Sequence, residues 1–207
     1  MVLKSKPKII IVDDNINDEN DDFYIVELGL IYGKENILFF QNPTDAIAYI
    51  RNNLLTQRMI VILDVMFGNL PLGFKVFESI TDKTSLVCFI IMTGNIEKIS
   101  NDNLIKLING HLWHIIKRDE STANILKVIQ NAENQLAARI DGVLEEWINR
   151  HTKEDRAKPY LRTRAGKSYN LDNILEEIRR HSDFGKEMER GILNLTIDLL
   201  ARQKEEL

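Results

Sequence analysis

Between positions 8 and 117 the sequence alternates short, β-branched, nearly uncharged runs with longer segments of helical period, an alternation that few folds accommodate. Strands that are apolar almost throughout need cover on both faces, and interleaved helices supply that cover when the strands run parallel. Strands are expected at 8–12, 37–41, 59–63, 87–92 and 111–116. Between them lie three helical stripes. In 43–55, Ala46, Ile47, Ile50 and Leu54 follow a helix-starting Pro43; Phe74, Val76, Phe77 and Ile80 form the second stripe; Ile96, Ile99, Leu104, Leu107 and Ile108 form the third. Five strands with five helices make a doubly wound open α/β sheet.

After position 117 the strand signals stop. The expected organisation is a domain over 1–120 and an all-helical region over 121–207, consistent with a 207-residue chain, which is long for one domain. Ser121 or Thr122 caps a helix running through 149, whose apolar positions Ile125, Ile129, Ala132, Leu136, Ile140, Val143 and Trp147 step by four and three. At ~1.5 Å per residue such a helix reaches roughly 40 Å. Its stripe serves either packing within the chain or a homodimer seam over 121–149. A polar connector over 150–169 follows, then helices at 170–181 and 183–205, the last with Phe184, Met188, Ile192, Leu195 and Leu199 on one face.

The apolar content of 44% and charged content of 28% are those of a folded globular protein, and the net charge of −4 disfavours binding to nucleic acid through overall charge. The connector is basic, with Arg150, Lys153, Arg156, Lys158, Arg162, Arg164 and Lys167. No nucleic-acid module follows it, so it reads as a solvated linker. A single cysteine, Cys88, permits no disulfide within the chain and fits a reducing, cytoplasmic compartment. No apolar stretch approaches the ~20 residues of a membrane span, and the first seven residues are polar and basic.

In an open α/β sheet the ligand site lies beyond the carboxyl ends of the strands, and here those ends are polar. Strand one ends in Asp13-Asp14, strand three in Asp64, strand four in Thr93 and strand five in Lys117. A strand order of 2-1-3-4-5 brings them to one crevice. Three clustered carboxylates repel one another unless protonated or bridged by a cation, and all-oxygen donors suit Mg²⁺, with the backbone carbonyl of Met66 as a further ligand. Phosphoryl transfer needs an in-line nucleophile and positive charge against the phosphoryl oxygens. Asp64 with a metal and Lys117 provides both, and Thr93 is placed to donate a hydrogen bond to the bound group. Taken singly, each aspartate also reads as a helix cap, Thr93 as a loop hydroxyl and Lys117 as a solvated lysine. Their joint appearance at four strand ends sets the reading.

Over roughly residues 7–125 the chain resembles a response-regulator receiver domain, on Ile-Val-Asp13-Asp14, Ile-Leu-Asp64-Val-Met, Ile-Met-Thr93-Gly94 and Ile-Ile-Lys117. The resemblance implies a flavodoxin-like fold of order 2-1-3-4-5. It implies an aspartyl phosphate on Asp64, Mg²⁺ held by Asp13 and Asp14, a phosphoryl contact from Lys117, and Thr93 and His114 as switch residues. It also implies phosphorylation by a sensor histidine kinase or phosphotransfer protein, no enzyme activity beyond the domain's own phosphorylation and dephosphorylation, and output through an unknown partner of the helical region. Three departures stand out. Arg118 replaces the proline that usually follows the lysine, so that turn is expected to be trans. The loop over 65–73 is one residue longer than usual in that family, with its proline displaced to Pro71, and the loop over 15–22 is acidic and extended. These departures favour an alternative, a receiver-derived scaffold that binds its partner regardless of phosphate. An aspartyl-phosphate phosphatase is disfavoured, because Met66 stands where such hydrolases place a second acid.

Overall fold

A computed structural model of the chain describes residues 6–16, 22–54, 57–94, 96–110, 112–163 and 166–205. It divides into two units, Met1–Ala137 and Ala138–Leu207.

The first unit is built on β1 (Lys8–Val12), α1 (Phe23–Tyr32), β2 (Ile37–Phe40), α2 (Pro43–Asn53), β3 (Met59–Leu63), α3 (Gly73–Ile80), β4 (Val87–Thr93), α4 (Asn101–Asn109), β5 (His114–Lys117) and α5 (Thr122–Ala138). All five strands pair in parallel, in the order β2-β1-β3-β4-β5. The period-2 alternation of strand side chains divides the core into two layers. Ile9, Ile11, Ile60, Ile62, Cys88 and Ile90 face α1 and α5, whereas Ile10, Val12, Met59, Val61, Phe89 and Ile91 face α2 and α3. In the central strands β3 and β4 every residue is buried, which is why their sequences show no alternation of polarity.

Short polar side chains cap two of the helices. Asn42 accepts a hydrogen bond from the Thr44 N–H ahead of Pro43, and Ser100 accepts one from Asn103. The third stripe is only partly used. One short turn (Ile96–Lys98) precedes α4, Leu107 is buried, and Ile108 is 64% exposed. The last strand begins at His114 rather than 111, and His111 lies outside the described residues. So does 17–21 of the extended first loop.

The single helix expected over 121–149 is two helices. α5 ends at Ala138, Arg139 is extended (ψ 124°), and α6 (Ile140–Asn149) starts afresh. The Arg139 guanidinium folds onto Asp141 in the first turn of α6, with Nε donating to Oδ1 at 2.9 Å, and Gly142 follows. An acid at a helix start is favourable, while Asp and Gly inside a helix are not, so the chain gains by restarting there. The architectural boundary accordingly falls after Ala137 rather than at 120, because Ile125, Ile129, Ala132 and Leu136 of α5 complete the first unit's core. The apolar stripe expected to run unbroken over 121–149 is thereby divided, its α5 half lying in the first unit's core.

The second unit is helical, with one addition. The connector over 150–169 is partly ordered structure: α7 (Lys153–Ala157), then an antiparallel pair, β6 (Pro159–Arg162) and β7 (Ser168–Asn170), with Gly166 at φ 85° in the turn. α8 (Leu171–Arg179) starts at a reciprocal cap between Asn170 and Asn173, and α9 (Asp183–Glu205) completes the unit. Its core joins Ile148, Tyr169, Leu171, Ile174, Leu175 and Ile178. Buried Glu145 of α6 accepts a 2.7 Å bond from Arg179 of α8. Among the described residues no helix is long and apolar enough to cross a membrane.

Candidate functional site

Three of the polar strand ends meet. Asp13 and Asp14 follow β1 and Asp64 follows β3, and each offers a carboxylate oxygen to a cluster in which these oxygens all lie within 4.8 Å of one another. Asp13 and Asp64 are buried and Asp14 is half-buried. Thr93, the last residue of β4, is fully buried and its hydroxyl hydrogen-bonds Asp64. Parallel pairing in register sets this convergence, with Val12 opposite Leu63 and Leu63 opposite Ile91.

The six carboxylate oxygens all receive hydrogen bonds. Asp13 Oδ1 accepts from the Asn15 N–H (2.8 Å), and Asp14 Oδ1 from Asn15 Nδ2 (2.9 Å). Asp14 Oδ2 accepts from the Gly68 N–H (2.6 Å), and Asp64 Oδ1 from the Met66 N–H (3.2 Å). The remaining two oxygens, Asp13 Oδ2 and Asp64 Oδ2, take Nη2 of Arg118, the latter at 3.1 Å. Burial pushes the Asp64 carboxyl above the ordinary carboxylate range. The Met66 N–H, the Thr93 hydroxyl and the Val65 N–H draw it back, and the Asp14 charge pushes it up again.

The long loop over 65–73 closes as a small hairpin, Phe67 pairing with Leu70 in both directions (2.9 and 3.1 Å) around Gly68 at φ 56°. That left-handed residue turns its own N–H onto Asp14, so the hairpin is tied to the acidic cluster.

Lys117 ends β5 opposite Thr93 and is exposed. Among the described residues the cation that reaches Asp64 is its neighbour, Arg118. His114, three residues earlier, is exposed beside a surface hollow that it lines with Ile96, Lys117 and Glu120. The turn contains no cis peptide, and the Arg118 N–H donates to the Thr93 carbonyl at 3.2 Å, a bond that proline in that place has no hydrogen to make. In the sequence Arg118 registers as a missing proline. The one signal of a further role was a second cation directly after the lysine at a strand end that faces three acids.

The donor set fits a hard divalent cation, being three carboxylates with oxygens in mutual reach and no sulfur or imidazole among them. Asp13, Asp14 and Asp64 each bring one oxygen within that reach.

No protein-family model and no curated protein matches the sequence. Solved structures do. The signal receiver domain of a Luxo repressor protein from Vibrio parahaemolyticus is 16% identical, covering 64% of this chain and 93% of its own at a TM-score of 0.51. A response regulator from Colwellia psychrerythraea is 21% identical over 63% of this chain and 99% of its own (TM-score 0.48). The receiver domain of NtrX from Brucella abortus is 19% identical over 61% and 98% (TM-score 0.47). The likeness to the Vibrio domain is one of fold and lies in the N-terminal part of the chain, where the strand order is β2-β1-β3-β4-β5: the first unit has the fold of a response-regulator receiver domain.

Proposed function

We propose that this protein is a two-component response regulator whose first unit takes a phosphoryl group on Asp64 and signals through its helical second unit. The observation that carries the reading is the meeting of Asp13, Asp14 and Asp64 at the carboxyl ends of β1 and β3, with the Thr93 hydroxyl on Asp64. The donor is a phosphohistidine of a sensor kinase or phosphotransfer protein. An Asp64 oxygen forms the new P–O bond while the P–N bond breaks, its electron pair leaving on the imidazole. Asp13, Asp14, Asp64 and the Met66 carbonyl hold Mg²⁺, which when bound supplies positive charge against the phosphoryl oxygens. Thr93 shifts its hydroxyl from Asp64 to the phosphoryl group, and Lys117 neutralises a further oxygen from the end of β5. His114 is the switch position on the outer side of β5. The protein is a phosphoacceptor rather than an enzyme acting on a separate substrate.

Acetyl phosphate with Mg²⁺ is expected to give a hydroxylamine-labile phosphate on Asp64, and Asp64→Asn to abolish it. Undiminished label on the Asp64→Asn protein would overturn the assignment. The Arg118 pairing favours a second reading, a scaffold that binds its partner in either state, because the crevice already contains a cation. Identical size-exclusion profiles and protease sensitivity with and without bound fluoroberyllate support the scaffold.

A further inference from the structure

We infer that Arg118 is a built-in counter-ion of the acidic crevice, which a divalent cation must displace from Asp13 and Asp64 in order to bind. The inference rests on the reading of Asp13, Asp14 and Asp64 as a metal site. Three ionised carboxylates this close are unstable without positive charge, and the chain provides one from within. The backbone of Arg118 is fixed by its N–H bond to the Thr93 carbonyl, which extends the β4–β5 pairing by one residue. From that anchor the guanidinium lies across the crevice onto Asp13 and Asp64. Those two carboxylates are 5% and 8% exposed and the Arg118 side chain 32%, so the acid side of the pairing is shielded from solvent while the guanidinium side is partly open to it.

The hydrogen-bond pattern makes the competition specific. Backbone or side-chain amides satisfy four of the six carboxylate oxygens, and Nη2 of Arg118 takes Asp13 Oδ2 and Asp64 Oδ2. A guanidinium has five donors and no acceptor, so it neutralises these oxygens but cannot act as a ligand with them. Nη2 therefore covers one oxygen each from two of the three carboxylates a metal needs. Proline at this position offers neither the N–H anchor nor the charge, so the competitor arises from this one replacement. The metal-free crevice is thereby a stable state, and metal entry carries the cost of breaking two charged hydrogen bonds.

The test is a calorimetric titration of the 207-residue chain with MgCl₂ at low ionic strength, on the parent, Arg118→Met, Arg118→Lys and Asp14→Ala. Arg118→Met keeps an aliphatic stem and loses the charge. It is expected to bind Mg²⁺ about tenfold more tightly than the parent, to melt at a lower temperature without metal, and to gain more from added Mg²⁺. Arg118→Lys retains a cation and is expected to stay near the parent. Should Arg118→Met not fold, the side-chain N–H resonances of Arg118 in the parent report directly: they shift as Mg²⁺ is added if the guanidinium is displaced. Equal Mg²⁺ affinity in parent and Arg118→Met, with binding lost in Asp14→Ala, overturns the inference and leaves the metal site standing. No Mg²⁺ binding in either the parent or Arg118→Met removes both. An Arg118 signal unmoved at saturating Mg²⁺ also sinks the competition.

Discussion

Gly73, the first residue of α3, lies so close under the segment that follows β3 that a Cβ built on it falls 2.1 Å from the Asp64 carbonyl oxygen and 2.9 Å from the Val65 Cα. Both neighbours are backbone, so relief requires the segment carrying Asp64 to move. Gly73→Ala is expected to cost at least about 1–3 kcal/mol in urea denaturation, the range for forcing an extra carbon into a packed interior. Gly94→Ala, with open space around it, is the matched control and is expected to cost less. At this scale the sequence was informative about identity and uninformative about reach. Asp13, Asp14, Asp64 and Thr93 stand out because uninterrupted apolar runs end abruptly in them, and a short side chain at a strand end goes where the strand puts it. Arg118 and Lys117 have long stems with many rotamers, and which of two adjacent cations bends back onto Asp64 is decided by tertiary packing that spacing does not encode.

The helices of the second unit depend on an ion pair that strand and helix patterns do not reveal. Glu145 is fully buried on α6, and Arg179 of α8 donates to it with both Nε (3.2 Å) and Nη2 (2.7 Å). Removing the cation takes the charged partner from a fully buried carboxylate, so Arg179→Ala is expected to destabilise this unit by about 3–5 kcal/mol, read from its denaturation midpoint. The double replacement Glu145→Met with Arg179→Met is expected to recover most of the loss, because it abandons the buried charge along with its partner. The break between α5 and α6 was legible in part. Asp141-Gly142 is a poor pair for a helix interior, but the four-and-three rhythm of apolar residues runs straight through it and masks the break. The hairpin of β6 and β7 was hidden because a strand of three or four residues is too short for alternation to register.

For the molecule as a whole, the division after Ala137 sets where the chain tolerates being cut. Ile125, Ile129 and Leu136 of α5 are 3% exposed or less and close the core layer shared with α1. Together they are worth roughly 5–9 kcal/mol of burial, comparable to the ~5–15 kcal/mol net stability of a whole domain. A chain ending at 137 is expected to keep a cooperative thermal transition by circular dichroism, and one ending at 120 to lose it. The strand order was readable because parallel crossovers and polar strand ends admit few arrangements. The boundary was not, because a helix that finishes one core and a helix that opens the next carry the same apolar stripe.

The fully buried central strands also govern how the protein fails. β3 and β4 read Met-Ile-Val-Ile-Leu and Val-Cys-Phe-Ile-Ile-Met-Thr, and β1 carries one charge, on Lys8, so only the helices and the shorter edge strands β2 and β5 separate these segments from solvent. Once heat strips that cover, each becomes an uncharged, β-prone peptide free to pair with its counterpart on another molecule, and such pairing outruns the slow reassembly of a parallel sheet. Its durability is therefore a lifetime set by the rate of first opening, and whatever slows that opening prolongs it more than a gain in equilibrium stability alone.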